Sequence, residues 1–525
     1  MAKICLCLTG KTIDQNLETL NKYRNFIDIV ELRVDYLEPD ERLYIRRFPE
    51  LARLPIIMTI RRDVDGGYFS GGEGARVKLF ARGLAYASED SRKNFAYVDL
   101  EDDFDVPSLE EAARTFGTRI IRSCHKMEGT IDNIPEKIKS MRRSSDEIPK
   151  LAITANSTAD VLKMFLASKE IKGFDKILIC MGHLGIYSRI LAERFGSFLC
   201  YSFALPDDTL PGSYTQIDAK ELANLYRFRK VTKKTKIYGI VGNPLTASLS
   251  PWLFNTVFGL ENSDAVYVPF PADSINDFME IAKELDIQGL SVTAPYKETV
   301  LPKLLKSSAE VQSIGACNTM HRTSKENKTF TGNGAAIENW FGDNTDYFGF
   351  SHSLLEFLER KNLKFQKVTI IGAGGVARAA AFAIHRLGGK ALILNRTVHK
   401  ARAIALRYNF RWGGLDSNGT AMMTKYSNII IQTSSGKMDE QDNPLEQYIF
   451  TGKETVMDLL YIPPITPFLK RAAAAGCRTI NGYDMVIRQA CRQYSCFFGR
   501  EIPKQILSRI ITMGDNTWNR IQPGQ

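Results

Sequence analysis

Short apolar runs alternate with amphipathic segments through roughly the first 225 residues of the chain. The runs have the length of β-strands, and the segments between them repeat apolar residues with the period of a helix. Eight strands, each followed by a helix-sized segment, fit a (β/α)8 barrel, and an open doubly wound sheet is the alternative. The predicted strands are 3–8, 27–34, 56–60, 96–100, 119–122, 150–153, 176–180 and 197–203.

The second part of the chain shows the same alternation, with its clearest signal at residues 367–378 (KVTIIGAGGVAR). There an apolar strand enters a G-x-G-x-x-A turn that opens a helix, which is the setting of a dinucleotide-binding lobe. The predicted fold class is therefore α/β throughout. The predicted domains are a barrel (1–226), a linker (227–235), an α/β substrate-binding lobe (236–350), a Rossmann-like lobe (351–480) and C-terminal helices (481–525).

Length and composition agree with several globular domains. A chain of 525 residues exceeds what one core organises, and 44% hydrophobic with 24% charged residues is ordinary for globular proteins. No apolar run is long enough for a membrane span, and the N-terminal MAKICLCLTG lacks the features of a signal peptide. We therefore expect a cytoplasmic protein with no membrane partner.

The net charge and the cysteines limit which partners, disulfides and metal sites the protein is expected to have. The net charge is +10, but no nucleic-acid recognition motif accompanies it, so nucleic acid is not an expected partner. Small anionic substrates and a phosphorylated cofactor account for the same charge. The nine cysteines include no CxxC pair, so neither disulfides nor a metal site is predicted. The basic run RFRKVTKKTK in the linker is expected to be a solvated connector, and the oligomeric state stays open.

Chemistry in a barrel lies at the C-terminal ends of the strands, where this chain concentrates polar residues. Glu31 and Arg33 end the second strand, His125 follows the fifth, Lys150 opens the sixth, and Arg189 follows the seventh. Arginines bind carboxylates through paired hydrogen bonds, and a desolvated lysine can lose its proton and form an imine. A buried Glu31–Arg33 pair, a hydrogen-bonded His125 and a solvent-facing Lys150 are the structural alternatives. Their convergence on one mouth favours a site for an anionic substrate.

Six motifs of this part, in their order, resemble the type I 3-dehydroquinate dehydratases over nearly all of residues 1–225. They are ELRVD, TIRR, RSCHKMEGT, PKLAITANSTADV, MGHLGIYSR and FGSFLCYSF. The resemblance implies that Lys150 forms a Schiff base with the ketone of 3-dehydroquinate and that His125 moves the protons, with no cofactor besides the lysine imine. It also implies substrate contacts by Glu31, Arg33, Arg61, Arg189, Thr209 and Gln216.

Two positions depart from that family. Asp65 stands where the family usually has a glutamate that partners the histidine, and its side chain is one methylene shorter. The family's APGQ segment appears as LPGSYTQ, so the glutamine is either Gln216 after a short insertion or is missing, with Ser213 in its place. Neither departure removes the imine chemistry, although either could lower the rate.

The Gly-rich turn of the second part has the parts needed to hold a dinucleotide. Gly372 allows the tight turn, Gly374 lets the backbone approach a pyrophosphate, and the helix N-terminus presents free N–H groups. The next strand ends in NRT (395–397) rather than in the acidic residue that would bind ribose hydroxyls. Donors and a positive charge at that place favour a 2′-phosphate, so the sequence predicts NADP(H).

Further motifs of the second part, each an ordinary turn by itself, together resemble the shikimate dehydrogenase family over nearly all of residues 236–515. They are SLSP, SVTAPYK, GACNT, GDNTD, DLLYIPPITPFL and NGYDMVIRQA. The resemblance implies a catalytic pair, Lys297 and Asp346, that stabilises or protonates the oxygen when hydride reaches the ketone of 3-dehydroshikimate. Its implied substrate residues are Ser248, Ser250, Thr293, Asn318, Tyr461 and Gln489. Its implied cofactor residues are Gly372, Ala373, Gly374, Gly375, Val376, Asn395, Arg396, Thr397, Leu459, Gly482 and Met485.

This part also departs from its family at two places. Phe254 replaces a common histidine in the SPxxHN pattern, and the run TSKENKTFTGNGAAIENW ahead of GDNTD is longer than the usual hairpin. We expect that insertion to be a surface loop.

Together the two resemblances imply a bifunctional enzyme of the shikimate pathway with small-molecule substrates only. One alternative is a catabolic quinate or shikimate oxidoreductase, whose NAD preference the NRT tripeptide disfavours. Another is a non-catalytic regulator that senses the metabolite. Such a sensor has no need for Lys150, His125, Lys297 and Asp346, which are all present.

Overall fold

The computed structural model describes residues 1–85, 88–206, 216–245, 248–322, 339–434 and 448–518. By its contacts the chain forms two compact units, Met1–Ile287 and Gln288–Gln525. The first unit thus continues beyond the predicted linker and takes in the first strands of the predicted substrate-binding lobe. The boundaries of the five predicted segments stay predictions.

The first unit begins with a nearly closed barrel of eight parallel strands. The hydrogen-bonded order runs β7-β6-β5-β4-β3-β2-β1-β8, so strands consecutive in sequence are neighbours, as in a (β/α)8 barrel. The predicted fold class is confirmed. The strands are β1 (Lys3–Leu8), β2 (Ile29–Arg33), β3 (Ile56–Thr59), β4 (Tyr97–Glu101), β5 (Arg119–Lys126), β6 (Ile148–Thr154), β7 (Ile177–Met181) and β8 (Leu199–Ser202).

Helices fill most of the connections between these strands. The α6 helix begins with a capping box, in which the side chain of Ser157 accepts from the backbone N–H of Asp160 and the carboxylate of Asp160 accepts from the N–H of Ser157. The helices are α1 (Ile13–Tyr23), α2 (Phe48–Ala52), α3 (Glu73–Leu84), α4 (Pro107–Thr115), α5 (Ile134–Met141), α6 (Thr158–Glu170) and α7 (Tyr187–Ile190).

The β5 strand is longer than the sequence predicts. The apolar run ends at Arg122, but the strand continues to Lys126 because the polar side chains of Ser123 and His125 face the interior of the barrel mouth. A prediction that assigns only apolar residues to the barrel interior therefore places the end of this strand too early.

The basic run RFRKVTKKTK is a solvated connector only in part: five of its six basic side chains are exposed, but Arg227 is bound to the chain that follows. The guanidinium of Arg227 donates hydrogen bonds to the carbonyls of Phe258 (3.0 Å), Ser263 (2.5 Å) and Ala265 (3.0 Å). Phe228 is also buried. One planar guanidinium can satisfy several carbonyls at once, so this segment is fixed to the chain that follows it.

The rest of the first unit consists of β9 (Lys236–Gly242), α8 (Leu249–Leu260), β10 (Ala265–Pro271) and α9 (Ile275–Glu284). The two strands pair in parallel, with Tyr238 opposite Tyr267. The α8 helix starts at Ser248, whose hydroxyl accepts from the N–H of Ser250.

The second unit contains a mixed sheet followed by a Rossmann-like parallel sheet. In the first, β11 and β14 flank β13 in antiparallel fashion, and β12 runs parallel to β14. The elements here are β11 (Ile287–Val292), β12 (Lys306–Ser307), α10 (Ala309–Ile314), β13 (Thr319–Arg322), β14 (Trp340–Asp343) and α11 (Asp346–Phe357). Residues 323–338, which carry nearly all of the predicted insertion, lie outside the described residues.

The Rossmann-like sheet has the strand order β17-β16-β15-β18-β19-β20, with every neighbour parallel. This confirms the lobe predicted from the Gly-rich turn. Its strands are β15 (Lys367–Ile371), β16 (Lys390–Leu394), β17 (Arg411–Gly413), β18 (Ile429–Gln432), β19 (Thr455–Asp458) and β20 (Arg478–Ile480). Its helices are α12 (Gly375–Arg386), α13 (Val398–Arg407), α14 (Ser417–Met423) and α15 (Pro467–Ala474), followed by α16 (Tyr483–Phe498) and α17 (Lys504–Trp518).

Across the described residues, no helix combines the length and the apolar character that a membrane crossing requires.

Arg227→Ala is expected to lower the free energy of unfolding by about 2 kcal/mol, because three carbonyls lose a charged donor. Urea denaturation followed by circular dichroism measures the change. The matched control is Arg229→Ala, which removes only a half-exposed ion pair with Asp28 and should cost less than about 1 kcal/mol. Equal losses for the two variants would contradict the structural role of Arg227.

Candidate active sites

The mouth of the barrel holds a cavity of about 170 Å³ at the C-terminal ends of the strands. Seven of the predicted site residues line this one cavity although they come from different strands and connections. Apolar side chains such as Ile179 complete the wall. The seven are Glu31, Arg33, Arg61, Asp65, His125, Lys150 and Arg189.

Strand register explains why the predicted lysine and histidine face the same space. Lys150 on β6 lies opposite Ser123 on β5, and His125 is two residues further along the same face of β5. The ammonium of Lys150 donates to Asp99 at 2.8 Å and lies 4.3 Å from the ring centre of Tyr201. Only 5% of the Lys150 side chain is exposed, so the solvent-facing alternative is wrong.

Asp99 organises the charges around this lysine. Its carboxylate also accepts from Arg61 at 2.8 Å and from the hydroxyl of Ser123 at 2.6 Å. Burial alone would raise the pKa of Asp99, but the charges of Arg61 and Lys150 outweigh burial and hold that pKa well below its usual range. Arg61 reaches Glu101 as well, at 2.7 Å.

Sequence reasoning missed Asp99 and Glu101, although a signal for them existed. The fourth strand ends in YVDLE, which places both carboxylates on one face at period two. The same reasoning identified Glu31 and Arg33 on the second strand.

His125 is half-buried at the mouth of the barrel and can accept a proton in its neutral form. Burial, together with the positive charges of Arg61 and Lys150, holds the pKa of His125 well below its ordinary value of 6.5. Its Nδ1 atom has no hydrogen-bond partner among the described residues. The expected partner, Asp65, lines the cavity but accepts from Arg62 at 2.6 Å, which is consistent with its shorter side chain.

The predicted substrate residues of the barrel have different hydrogen-bond partners. Arg33 forms two hydrogen bonds with Asp35, at 3.0 and 2.7 Å, so the alternative of a Glu31–Arg33 pair is wrong. Glu31 accepts instead from the hydroxyl of Thr59 at 2.8 Å. Arg189 donates to the backbone carbonyl of Tyr201 at 3.2 Å.

Two further predicted residues remain outside this arrangement. Gln216 is exposed and does not line the cavity, so its substrate contact stays a prediction. Thr209, and the alternative Ser213, lie outside the described residues. Tyr201, which no pattern singled out, lines the cavity, and its buried hydroxyl has no partner in the described part of the chain.

The second unit places the predicted catalytic pair together. The Lys297 ammonium lies 2.6 Å from one carboxylate oxygen of Asp346. The other oxygen accepts from the amide of Asn318 at 2.8 Å. Asp346 is the first residue of α11, where the helix N-terminus favours a negative charge.

Asn318 is itself fixed on both sides. Its carbonyl oxygen accepts from the backbone N–H of Thr345 at 2.7 Å, and its amide lies 3.4 Å from the side-chain oxygen of Gln489. Gln493, one helical turn after Gln489, donates to the backbone carbonyl of Asn318 at 3.3 Å and accepts from Ser291. Gln493 was not predicted, because a buried glutamine on a helix has no distinctive motif.

The Gly-rich turn of this unit fits a dinucleotide. Gly372 has a φ of +113°, which other residues rarely adopt, and a Cβ added at Gly374 would meet nothing within 4 Å among the described residues. Space for a pyrophosphate is therefore open at the N-terminus of the twelve-residue α12. A Cβ at Gly375 would lie 2.8 Å from the Cδ of Lys297, so the turn and the predicted catalytic lysine are in contact.

The remaining predicted cofactor residues are placed around this turn and the neighbouring strand ends. The side chain of Asn395 donates to the carbonyl of Thr397, and Arg396 between them is exposed. A Cβ at Gly482 would lie 2.1 Å from the carbonyl oxygen of Leu459, so these two residues touch. Of the other predicted cofactor residues, Ala373 and Met485 are buried and Val376 is partly exposed. The predicted substrate residues Tyr461 and Thr293 are also partly exposed.

Ser248 and Ser250 belong to the first unit, so their share in the Lys297 site stays a prediction. Phe254, the residue that replaces a common histidine, is fully buried there and stacks on Tyr267 with ring centres 4.5 Å apart. An aromatic core contact thus occupies that position.

Two family descriptions match the chain. Residues 4–233 match "Type I 3-dehydroquinase", and residues 240–320 match "Shikimate dehydrogenase substrate binding domain".

Individual relatives agree with this division. The chain is 27% identical over 537 residues to the chloroplastic bifunctional 3-dehydroquinate dehydratase/shikimate dehydrogenase of Arabidopsis thaliana, covering 97% of this chain and 84% of the relative. It is 32% identical over 273 residues to the shikimate dehydrogenase (NADP(+)) of Syntrophobacter fumaroxidans, covering 52% of this chain and 90% of that relative. A solved structure of dehydroquinate dehydratase and shikimate dehydrogenase from S. pombe is 24% identical, with a TM-score of 0.42 and coverage of 97% of this chain and 98% of that one. The chain therefore belongs to the shikimate dehydrogenase family, with a type I 3-dehydroquinase domain ahead of the dehydrogenase region.

Proposed function

We propose that the protein is a bifunctional shikimate-pathway enzyme. The barrel dehydrates 3-dehydroquinate to 3-dehydroshikimate, and the second part reduces that product to shikimate with NADPH. The dehydratase activity is supported by one observation: Lys150 and His125 line the same cavity as Arg33, Arg61 and Arg189. An amine, a base and carboxylate-binding arginines are the groups that imine-based dehydration of an anionic ketone needs.

Lys150 starts the dehydration. Its nitrogen must first give up a proton, and the neutral amine then attacks the ketone carbon. The addition product loses water to form an imine. Asp99 stays neutralised by Arg61 when that proton leaves, because Arg61 is bound to the same carboxylate. The protonated imine withdraws electrons from the neighbouring carbon, whose C–H bond then breaks more easily.

His125 carries the protons of the elimination. It is neutral at pH 7 and therefore able to take the proton from the carbon beside the imine. It then returns a proton to the departing hydroxyl, which leaves as water. Addition of water to the imine finally releases 3-dehydroshikimate and restores the amine of Lys150.

Lys297 and Asp346 serve the reduction. NADPH, when bound, supplies the hydride that the ketone carbon receives. Lys297 faces the Gly-rich turn and donates a proton to the oxygen as negative charge grows on it. Asp346 holds the ammonium in place, and Asn318 fixes the orientation of Asp346. Residues 395–397 favour the phosphorylated cofactor over NAD through Arg396.

The proposed partners are the small substrates and NADP(H), and the proposed location is a reducing compartment such as the cytoplasm. All nine cysteines are free thiols, which fits a reducing environment.

A coupled assay that supplies only 3-dehydroquinate and NADPH tests both activities. Lys150→Ala is expected to lower dehydration by more than ~10³-fold and to abolish trapping of a covalent adduct by borohydride. Lys297→Ala is expected to leave trapping intact while it lowers reduction by about 10² to 10⁴-fold. The matched control is Lys176→Ala, because Lys176 is a buried barrel lysine that donates only to the carbonyl of Ile171 among the described residues. The dehydratase assignment fails if Lys150→Ala is still trapped.

The pH dependence of dehydration follows from His125. The depressed pKa keeps His125 neutral, and hence basic, until the pH falls well below 6.5. We expect the acidic limb of the kcat/KM profile for 3-dehydroquinate to lie below pH 6.5. A limb attributable to His125 at or above pH 6.5 would contradict the depressed pKa of this histidine.

Gly374→Ala is expected to weaken NADP(H) binding by about tenfold, equivalent to about 1.4 kcal/mol, because its Cβ fills space that the pyrophosphate requires. The melting temperature should not change, because that Cβ meets no atom of the described residues within 4 Å. Fluorescence titration measures the affinity. Gly74→Ala in α3 also adds a Cβ in open space and should leave the affinity unchanged.

A further inference from the structure

The short α7 helix that follows β7 has one face that lines the dehydratase cavity and another that is buried away from it. Tyr187 and Arg189 are two positions apart, so their side chains point about 200° apart around the helix axis. Arg189 lines the dehydratase cavity. Tyr187 lies on the other face and is nevertheless completely buried.

Phe270 of β10 covers Tyr187, although Phe270 belongs to the region that matches the dehydrogenase family. The two ring centres are 5.2 Å apart at an angle of 61°, and both residues have no solvent exposure. The hydroxyl of Tyr187 has no hydrogen-bond partner in the described part of the chain, so the ring makes this contact. On the barrel side, the hydroxyl of Ser188 accepts from the N–H of Cys180 in β7. The α7 helix is therefore held between β7 and β10.

The connection that follows β6 is held in the same way. The carboxylate of Asp273 accepts from both the backbone N–H and the hydroxyl of Thr158, the first residue of α6. The N–H of Asp273 donates back to that hydroxyl at 3.0 Å. Lys169 near the end of α6 pairs with Glu284 of α9. Residues 265–284, which we name the clamp segment, thus bind the connections after β6 and β7.

We propose that the clamp segment positions Arg189 for the substrate carboxylate, so that part of the dehydrogenase region completes the dehydratase site. Phe270 and Tyr187 act as positioning residues, since neither contacts the substrate in this scheme. This inference rests on the proposed dehydratase activity. Lys150 and His125 lie on β6 and β5, which the Phe270 contact does not reach. Loss of the contact should therefore weaken substrate binding more than chemistry.

The test uses the full-length protein with the substitution Phe270→Ala. The KM for 3-dehydroquinate should rise about tenfold while kcat changes less than about threefold, because the helix that carries Arg189 loses its outer support. Steady-state dehydration kinetics measure both constants, and thermal unfolding checks that the variant is folded.

Two controls separate positioning from general damage. Phe258→Ala removes an equally buried ring that packs on Tyr238 and Phe254, so it should leave the dehydration KM unchanged. Tyr187→Phe keeps the ring and should behave like the wild type. Tyr187→Ala should match Phe270→Ala, and the double variant should add little to either single effect, because both remove the same contact.

The outcomes distinguish failure of the positioning role of Phe270 from failure of the dehydratase assignment. If the wild type dehydrates 3-dehydroquinate but Phe270→Ala and Phe258→Ala have the same KM, the positioning role is wrong and the dehydratase assignment stands. If the wild type shows neither dehydration nor a trapped adduct, the dehydratase assignment itself fails. Should Phe270→Ala not fold, Phe270→Leu takes its place with an expected rise of about threefold in KM, and an unchanged KM would overturn the inference.

Discussion

A carboxylate in the interior of a barrel must be neutralised, and Asp99 meets that constraint with two cations and a hydroxyl. Its carboxylate accepts hydrogen bonds from Lys150, Arg61 and Ser123. Arg61 also forms an ion pair with Glu101, which in turn binds the buried Arg76. An isolated charge at this depth would be strongly destabilising. The array therefore fixes the nitrogen of Lys150 inside the mouth, beside an interior that in most barrels consists mainly of branched apolar side chains.

Each of the two proposed active sites is built on a lysine–aspartate pair, but the surroundings differ. Asp99 shares its charge with Arg61, so the carboxylate stays paired while Lys150 reacts as a neutral amine. Asp346 has Lys297 as its one ionic partner among the described residues, and its other oxygen meets only the amide of Asn318. Loss of the Lys297 proton would leave Asp346 without a cation. The first arrangement suits a nucleophile and the second suits a proton donor.

Much of this arrangement could be predicted from the sequence. The rule that barrel chemistry lies at the C-terminal ends of the strands predicted a shared site for Glu31, Arg33, His125, Lys150 and Arg189, and the family resemblance added Arg61 and Asp65. All seven residues line one cavity. Which carboxylate pairs with which arginine could not be predicted, because the choice depends on distances of a few tenths of an ångström. Arg33 therefore binds Asp35 rather than Glu31, and Asp65 binds Arg62 rather than His125. The role of Arg227 was equally hidden, because its partners lie 31 to 38 residues away.

The burial of Tyr187 beneath Phe270 means that the boundary between the families in sequence is not a boundary in packing. A gene divided at residues 227–235 would encode two polypeptides, each with an aromatic surface shaped for the other. Such surfaces attract chaperones and promote self-association when their partner is missing. Fission of this gene would therefore require new polar residues at both faces. The packing across the family boundary thus disfavours separation of the two parts.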